Sequence, residues 1–340
     1  MLITAALPYA NGRPHVGHVA GCYLPADITV RYLRLKGVDA KFICGSDDHG
    51  VAILLAAEKE GKTPAELCAY YAEKQKLSFE GIDIHFDIYG STSRTPQHAP
   101  LAQQFFLKLH EKGYFEKRST PQFFDEKKQM FLADRYVRGT CTYCNTADQN
   151  GDQCENCGKV LDVQTLKDAK SVVSGAPATV KDSVHWFLDL TKSEKTIQDW
   201  LDHAQLRDHT RAYVKSMLTQ GLVKRAITRD ITWGIPVPLP QDPDAKGKVL
   251  YVWFDAPVGY ISNTQQLLEK TGGNLQDWWA SQETEIVHFI GEDNTIFHCV
   301  IWIAMLAAEG SYSLPKGVIV NQFLNIQFPD QAEAEKISKS

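Results

Sequence analysis

Apolar and polar positions along the chain form two alternating series of strand and helix patterns, separated by a stretch of different character. In the first series, residues 1–112, the short apolar runs LITAAL, DAKFICG and HFDIYGS are typical of buried strands. Between them, apolar positions recur at helical spacing, and glycine or proline stands at several expected helix ends. The helices predicted here are 16–36, 49–61, 63–77 and 96–112. Strands that alternate with helices predict a parallel sheet with helices on its faces.

The alternation is interrupted after residue 112 and resumes at about residue 231. The interrupting part, 113–230, contains charged hairpin-like pieces, four clustered cysteines and two predicted helices. From 231 onward, strands are predicted at KVLYVWFDAP, EIVHFIG and GVIVNQF. The helices predicted after residue 112 are 194–204, 209–221, 258–270 and 294–308.

This order predicts an α/β fold with a doubly wound, Rossmann-like parallel sheet made from two separated halves of the chain. Residues 1–112 would form the first half, 231–340 the second half, and 113–230 an inserted connective domain. Two tandem domains would produce the same order of elements, but the candidate chemistry described below draws on both outer segments.

Composition and charge exclude several classes of protein. The 340 residues are 44% hydrophobic, which is ample for a buried core, and the formal net charge of −5 excludes a strongly basic coat for nucleic acid, although not a local basic groove. The best candidate for a membrane span, VIWIAMLAA, has nine residues, and no secretory signal is recognised. Four dispersed cysteines suggest a reducing compartment. We therefore expect a cytoplasmic protein outside membranes, while the oligomeric state stays open.

The string CTYCNTADQNGDQCENCG contains two closely spaced CxxC pairs. Cys141 and Cys144 are followed, after nine residues, by Cys154 and Cys157, which predicts a tetrahedral thiolate site for zinc in a knuckle at about 139–160. Because all four positions are cysteine, no position is left for water, and the predicted metal is structural and coupled to folding. Two disulfides are the alternative, which a reducing compartment disfavours.

The string ALPYANGRPHVGH follows the first predicted strand and opens the first helix. Ligands of open parallel sheets bind beyond the carboxyl ends of the strands, and a helix N-terminus attracts phosphate. His15 and His18 are three residues apart and therefore lie on one helix face, where both rings can point at an anion. Gly17 between them has no side chain to obstruct the approach of a flat ring. A structural histidine pair is the alternative.

The string EKISKS carries two lysines in a polar stretch. Lys336 and Lys339 can follow the charge that develops on phosphate during displacement at the α-phosphorus. Taken alone, the same lysines would be a solvated tail.

Two further strings at predicted strand ends indicate a pocket and a nucleotide contact. In YVWFDAPVGY, read as extended, Trp253 and Asp255 share one face, and the aromatic and proline side chains suit a thioether, although they would also suit a core. In FIGEDN, Gly291 permits close approach to the backbone, and Asp293 can accept hydrogen bonds from ribose hydroxyls or cap the next helix.

HVGH and KISKS resemble the two signature motifs of class I aminoacyl-tRNA synthetases, commonly written HIGH and KMSKS. ALPYANGRPHVGH, FICGSDDHG, TRDITWGIPVP, YVWFDAPVGYI and HFIGEDNTIFH are similar specifically to the methionyl-tRNA synthetases. The resemblance implies ATP-dependent activation of L-methionine to methionyl-adenylate and transfer of the methionyl group to the 3′ end of tRNA(Met). It also implies ATP with Mg²⁺ as a substrate and one structural Zn²⁺ per chain.

The resemblance implies roles for individual residues. The implied catalytic residues are His15, His18, Lys336 and Lys339. The implied ATP contacts are Asn11, Gly17, Gly291, Asp293 and Lys339. The implied methionine contacts are Ala6, Leu7, Tyr9, Asp47, Trp253, Ala256, Pro257, Tyr260 and His298, with Trp302 behind them. Asp47 would pair with the substrate ammonium, with Asp48 as the alternative, and Glu292 departs from the lysine that the family usually has at its position.

Two other functions remain open from the residues. One is a class I synthetase of the leucine, isoleucine, valine or cysteine type, and the other is a non-catalytic, zinc-containing fragment that binds RNA. We also expect the helical anticodon-binding domain of the family to be absent from 1–340.

Overall fold

The computed structural model describes residues 1–151, 154–157, 159, 161–163 and 165–327, without the side chain of Asp134, together with the backbone of Glu335 and Lys336. Among the predicted site residues, Lys339 and the side chain of Lys336 therefore lie outside the described part of the chain.

The first part of the chain alternates strands and helices as predicted. Its elements are β1 (Leu2–Ala5), α1 (Val16–His18), a π-helical turn (Val19–Tyr23), α2 (Leu24–Leu35), β2 (Lys41–Ser46), α3 (Val51–Glu60), α4 (Pro64–Glu80), β3 (Ile88–Ser91) and α5 (His98–Glu111). Thr63 caps α4 by accepting a hydrogen bond from the backbone of Glu66, whose carboxylate accepts one from the Thr63 backbone in return. Gly61 ends α3 in the left-handed conformation that glycine adopts without strain.

The middle part of the chain is dominated by antiparallel strands. Its elements are β4 (Phe115–Asp125), β5 (Met130–Phe131), a 3₁₀ turn (Asp134–Tyr136), β6 (Val137–Cys141), β7 (Gln149–Asn150), β8 (Leu166–Ser171), β9 (Thr179–Leu188), a 3₁₀ turn (Leu190–Ser193), α6 (Glu194–His203), α7 (Asp208–Gln220), β10 (Arg225–Ala226) and β11 (Thr228–Arg229). Within the described residues, β10-β9-β4-β5 form one sheet and β7-β6-β8 form a small one. The segment with the four clustered cysteines starts in this small sheet, at the end of β6.

The last part of the chain returns to the strand–helix alternation. Its elements are a 3₁₀ turn (Pro243–Ala245), β12 (Val249–Leu250), α8 (Val252–Asp255), α9 (Val258–Thr271), α10 (Leu275–Trp279), β13 (Ile286–Gly291), a 3₁₀ turn (Glu292–Asn294), a π-helical turn (Phe297–Ile301), α11 (Trp302–Glu309), β14 (Gly317–Asn321), β15 (Asn325–Ile326) and β16 (Glu335–Lys336).

The central sheet combines strands from the first and last parts of the chain. In the described part of the chain it has five parallel strands in the order β14-β13-β1-β2-β3. Leu2 of β1 lies between Lys41 of β2 on one side and Ile286 of β13 on the other. The chain thus builds the sheet outward from β1 in one direction and then, after the middle part, in the other. The prediction of a doubly wound parallel sheet is confirmed, and its switch point lies between β1 and β13.

The prediction of a strand at KVLYVWFDAP is wrong. Only Val249–Leu250 forms a strand, which pairs with β11, and the helix α8 begins at Val252. The run is apolar at almost every position, and such a run does not distinguish a strand from a buried helix. Since residues two apart on a helix point about 200° apart, Trp253 and Asp255 lie on opposite faces of α8 rather than on one.

The helices predicted over 16–36 and 294–308 each contain a π-helical turn. In the first, the backbone of Leu24 donates to Val19, five residues earlier, and the turn places the Cys22 thiol 3.0 Å from the backbone oxygen of Phe289 in β13. The second turn, Phe297–Ile301, contains His298. Such turns recur at functional sites, and periodicity cannot predict them because they shift the helical phase by a single residue.

The main core lies between the central sheet and the helices α5, α9 and α11. Trp279, Trp302 and Phe105 are almost completely buried there. In the described part of the chain, every helix is too short or too polar to cross a bilayer.

Candidate active site

The candidate site lies at the carboxyl ends of β1, β2 and β13, beside the switch point of the sheet. Tyr9 follows β1 and pairs with Asp47, which follows β2. The backbone of Ala10 donates to the oxygen of Asp47 at 2.9 Å, and the backbone of Asp47 donates to the oxygen of Pro8 at 2.9 Å. These two hydrogen bonds hold the segment before HVGH against the segment GSDDHG.

An aromatic wall stands next to this pair. The Trp253 side chain forms a hydrogen bond with the Tyr9 hydroxyl, and its ring lies 4.0 Å, centroid to centroid, from that of Phe297. The short helix α8 positions Trp253 by presenting one of its faces to Tyr9 and Phe297. Trp253 is half-buried, so its ring borders the solvent side of the wall.

Behind the wall, Tyr260 and His298 form a buried polar pair. The Tyr260 hydroxyl lies 2.8 Å from Nε2 of His298, and Nδ1 of His298 lies 3.1 Å from the backbone oxygen of Asn294. The carbonyl can only accept, so Nδ1 carries the proton and Nε2 accepts from the tyrosine. Burial lowers the pKa of His298 to about 4, so the ring is neutral at pH 7. Deeper still, the Trp302 indole donates to His288, whose ring stacks on Tyr260.

Asp47 and Asp48 have different surroundings. Asp47 is 3% exposed. The pKa of Tyr9 is raised well above its usual value, first by the burial of Tyr9 and then by the negative charge of Asp47. Asp48 instead accepts hydrogen bonds from the hydroxyls of Ser91 and Ser93, and the Arg94 guanidinium lies 3.6 Å away. The Asp47 charge therefore acts on the aromatic wall, whereas one oxygen of Asp48, Oδ2, is hydrogen-bonded to side chains at the end of β3.

The other predicted methionine contacts lie on the segments around this wall. Leu7 packs against α9 so closely that a Cβ at Gly259 would come 2.9 Å from its Cδ2. The backbone oxygen of Ala6 accepts from the Tyr23 hydroxyl at 2.9 Å. Ala256 and Pro257 form the junction between α8 and α9, where the chain leaves the Trp253 helix.

The histidines of HVGH cap the helix they begin. Nδ1 of His15 accepts from the Gly17 backbone at 3.1 Å, and Nδ1 of His18 accepts from the His15 backbone at 3.3 Å. The two half-buried rings lie 3.8 Å apart between centroids. A Cβ at Gly17 would come 3.0 Å from the His15 ring, so glycine lets His15 fold over the helix start, and this ring takes the space expected for a flat ligand ring.

The backbone of Lys336, the first residue of KISKS, belongs to a strand pair next to HVGH. The Leu324 side chain would be 3.5 Å from a Cβ at Gly17. Leu324 directly precedes β15, which pairs with β16 so that Asn325 lies opposite Lys336. The fold therefore brings residue 336 towards residues 15–18.

The predicted nucleotide contacts occupy the ends of β1 and β13. Asn11 is half-buried in the turn after Tyr9. Gly291 ends β13, and a Cβ there would come 2.9 Å from Oδ1 of the exposed Asp293, which accepts from the Asn294 side chain at 3.1 Å. Gly291, and not Asp293, is the N-cap residue of the turn Glu292–Asn294. The Glu292 carboxylate accepts from the Phe323 backbone at 3.3 Å and so supports the segment that leads to β15.

The four clustered cysteines converge. Their sulfur atoms all lie within 4.8 Å of one another, with Cys144 and Cys154 at 3.6 Å and Cys141 and Cys157 at 3.9 Å. Sulfur atoms bound tetrahedrally at about 2.3 Å from one zinc ion lie about 3.8 Å apart, whereas disulfide sulfurs lie about 2.05 Å apart. Hydrogen bonds from the side chain and backbone of Thr146 lower the pKa of Cys144 to about 6, which favours the thiolate that a metal needs.

The comparisons with known proteins agree with this geometry. A family model described as tRNA synthetases class I (M) matches residues 1–340. The chain belongs to this family. The methionine--tRNA ligase of Bacteroides fragilis is 49% identical over 99% of this chain and 48% of its own length, and that of Porphyromonas gingivalis is 48% identical over 100% and 48%. The chain thus spans about half the length of the curated relatives it matches.

The solved structures show the same fold. A Mycobacterium tuberculosis methionyl-tRNA synthetase in complex with methionyl-adenylate superposes with a TM-score of 0.70, at 23% identity, over 95% of this chain and 57% of that one. The family resemblance predicted from the sequence is confirmed. Within the family, the interpretation as a synthetase of the leucine, isoleucine, valine or cysteine type loses its support.

Sequence reasoning missed a second buried group beside the pocket. His49, His98 and Asp255 bring their ring nitrogens and carboxylate within 4.8 Å of one another. His49 stands in GSDDHG and Asp255 in YVWFDAP, two strings that were noticed for other residues. The strings suggested that these residues matter, but no sequence pattern shows that residues 206 positions apart meet.

Proposed function

We propose that this chain activates L-methionine with ATP to form methionyl-adenylate and transfers the methionyl group to the 3′ end of tRNA(Met). The observation that carries the proposal is the meeting of the Tyr9–Trp253–Phe297 wall, the Tyr260–His298 pair and Asp47 at one sheet edge, next to HVGH. The relatives' names support the same activity.

Methionine would enter with its thioether against the aromatic wall. Sulfur makes favourable contacts with aromatic rings, and the neutral His298 presents no positive charge that an apolar side chain would have to desolvate. Ala6, Leu7, Ala256 and Pro257 would supply the remaining apolar contacts. The substrate ammonium would pair with Asp47, whose negative charge acts on Tyr9 of the aromatic wall.

ATP, bound with Mg²⁺, would lie over the start of α1. His15 and His18 would stabilise negative charge on its phosphates as pyrophosphate leaves, and Lys336 and Lys339 would follow that charge. Asn11 and Gly291 would approach the nucleotide closely, Gly17 would contribute by letting the His15 ring fold over the helix start, and the exposed Asp293 would accept from the ribose hydroxyls. The pairing of β15 with β16 supports a lysine motif located near the histidines.

The cysteine cluster would hold one structural zinc ion. Cys141, Cys144, Cys154 and Cys157 supply four sulfur ligands with separations that suit a tetrahedral site. Bound zinc would cross-link the turns around β6 and β7 and so stabilise this small sheet.

Residues 1–112 and 231–340 would form the catalytic domain around the inserted part 113–230. The protein would act in the cytoplasm.

Amino-acid-dependent exchange of pyrophosphate into ATP tests the proposal. We expect exchange with methionine and, at equal concentration, at least about a hundredfold less with leucine, isoleucine, valine or cysteine. Trp253→Ala should raise the KM for methionine, while Trp278→Ala, a half-buried tryptophan that lies against Lys41 away from the site, should not. Exchange with another amino acid would overturn the assigned substrate. RNA binding without any exchange would favour the non-catalytic alternative.

A further inference from the structure

Three buried side chains form a hydrogen-bonded cluster on the side of α8 away from Trp253. Asp255 ends α8, His49 follows β2, and His98 begins α5. Oδ2 of Asp255 lies 2.7 Å from Nδ1 of His49 and 3.2 Å from Nε2 of His98, so one carboxylate oxygen accepts from two imidazoles. Nδ1 of His98 lies 3.0 Å from the hydroxyl of Ser262 in α9. The cluster thus joins four elements of the catalytic half-domains.

All three members of this cluster are buried, and burial restricts how they can be arranged. Asp255 and His98 are completely buried, and His49 is 6% exposed. Burial alone would raise the pKa of Asp255, but the charge of His49 and the hydrogen bonds from both histidines lower it, so the carboxylate is ionised. A buried carboxylate that loses a partner is strongly destabilised, and the three groups therefore keep a fixed arrangement.

Two members of the cluster are close in sequence to residues of the proposed methionine pocket. His49 is two residues from Asp47, and Asp255 is two residues from Trp253. On the helix α8 this spacing sends Trp253 towards Tyr9 and Asp255 towards the histidines. A small rotation of α8 that weakened the bonds of Asp255 would move the Trp253 ring relative to Asp47.

Trp233 adds a further contact to the same end of β2. Its ring lies 5.9 Å from that of His49 in an edge-on arrangement, and its indole donates to the backbone oxygen of Asp48 at 2.5 Å. The segment that bears Asp47 is therefore fixed both by the cluster and by this indole.

A metal site is the competing interpretation of two histidines and one aspartate. Two ligand atoms on one tetrahedral zinc ion lie about 3.3 Å apart. The 2.7 Å between Nδ1 of His49 and Oδ2 of Asp255 is instead a hydrogen-bond distance. The geometry therefore favours a hydrogen bond between His49 and Asp255 over a metal ion that both would bind.

We propose that the His49–Asp255–His98 cluster positions Trp253 against Asp47 and thereby sets the affinity of the pocket for methionine. The inference rests on the proposed function. Its members are positioning residues, which act on the substrate through Trp253 and Asp47 rather than by contact. They fix the position of the apolar wall relative to the Asp47 carboxylate.

Asp255→Asn and His49→Ala in the 340-residue chain test the inference. We expect each to raise the KM for methionine in pyrophosphate exchange about tenfold, while kcat and the KM for ATP change less than about threefold. His49→Asn restores a donor at the position of Nδ1 and should keep a KM near that of the unaltered chain. His85→Ala, which breaks an exposed histidine–aspartate pair at 2.8 Å, is the matched control and should change nothing.

Two further measurements make every outcome decisive. Methionine affinity by calorimetry separates the two proposals, since an unaltered chain that binds methionine without exchange overturns the proposed activity, while the variants' affinities still test the cluster. An unaltered chain that does not bind methionine overturns both. The positioning role is overturned if the variants change kcat and both KM values by equal factors. It is also overturned if Asp255→Asn and His49→Ala leave the methionine affinity unchanged. Two zinc ions per chain, with one retained in Cys154→Ser, would favour the metal site.

Discussion

The hydroxyl of Tyr260 lies 2.8 Å from Nε2 of His298 and donates to that nitrogen, because the proton of the neutral ring is on Nδ1. Because Nδ1 is committed to the Asn294 backbone, Nε2 can only accept while the ring is neutral. The pair therefore forms a polar contact without net charge behind an apolar wall.

Removing this hydroxyl should weaken methionine binding. Tyr260→Phe leaves a buried nitrogen without a donor, and an unsatisfied buried acceptor costs about 1–3 kcal/mol. We expect the KM for methionine to rise about five- to tenfold with little change in the KM for ATP. Tyr32→Phe, on an exposed side chain of α2, provides the control. If Tyr260→Phe bound methionine as the unaltered chain does, the pair would have no part in the pocket.

Loss of a signature histidine should act on the chemical step. His18→Ala removes the imidazole of the last residue of α1. We expect it to slow adenylate formation about a hundredfold and to leave methionine affinity nearly unchanged, because the contact forms mainly in the transition state. Single-turnover rates and equilibrium binding separate the two effects. His209→Ala, at an exposed histidine of α7, should leave both unchanged. Equal losses in rate and affinity would contradict the assigned role.

The cysteine cluster should contain one zinc ion per chain. Cys154→Ser replaces one of four convergent sulfur ligands, so we expect loss of bound zinc and poorly soluble protein. Elemental analysis of the purified protein measures the first effect. Cys68→Ser, at a buried thiol that donates to the Asp48 backbone, should retain one zinc ion because serine can make the same bond. A fully active, metal-free sample would refute the structural role of zinc.

Acid should destabilise the contact between β9, β11 and β12. Burial opposes ionisation of Asp230, but hydrogen bonds from His185, Lys248 and Ser183 outweigh it and lower its pKa to about 2. The folded value lies below the ordinary value of 3.8, so the contribution to stability is present above about pH 4 and is lost as the pH falls towards 2.

Asp230→Asn should therefore flatten the acid side of the stability curve. Denaturant unfolding between pH 7 and 2 should show a difference from the unaltered chain of on the order of 2 kcal/mol at pH 7, which shrinks as the pH falls. Asp199→Asn, in an exposed pair with Lys195, is the control and should run parallel to the unaltered chain. A difference that did not depend on pH would show that Asp230 acts through packing alone.

Local patterns predicted the elements that have local causes. The helix at Pro64 has a capping box within four residues, and the strand Ile286–Gly291 is a short apolar run between turn residues. Alternation of such elements was enough for the doubly wound sheet. The short helix at Val252–Asp255 was not predictable, because its boundaries depend on the pairing of Val249–Leu250 with Thr228–Arg229, 20 or more positions earlier.

The candidate site was predicted unevenly for the same reason. The resemblance named Tyr9, Trp253 and His298, and it favoured Asp47 as the partner of the substrate ammonium with Asp48 as the alternative. Their difference comes from Ser91, Ser93 and Arg94, which the third strand brings to one of the two carboxylates. No local pattern contains that information, and the same holds for the cluster around Asp255.

The two strands that pair with the central strand β1 are synthesised at very different times. During synthesis it can pair with β2 once residue 46 has emerged, but β13 follows only after roughly 240 further residues. At about 5–20 residues per second, one edge of the nascent sheet waits some tens of seconds for its partner. An open strand edge invites pairing with other chains. Growth at lower temperature, or with a chaperone that covers such edges, should therefore raise the soluble yield, and β13, rather than the start of the chain, commits the sheet to its final topology.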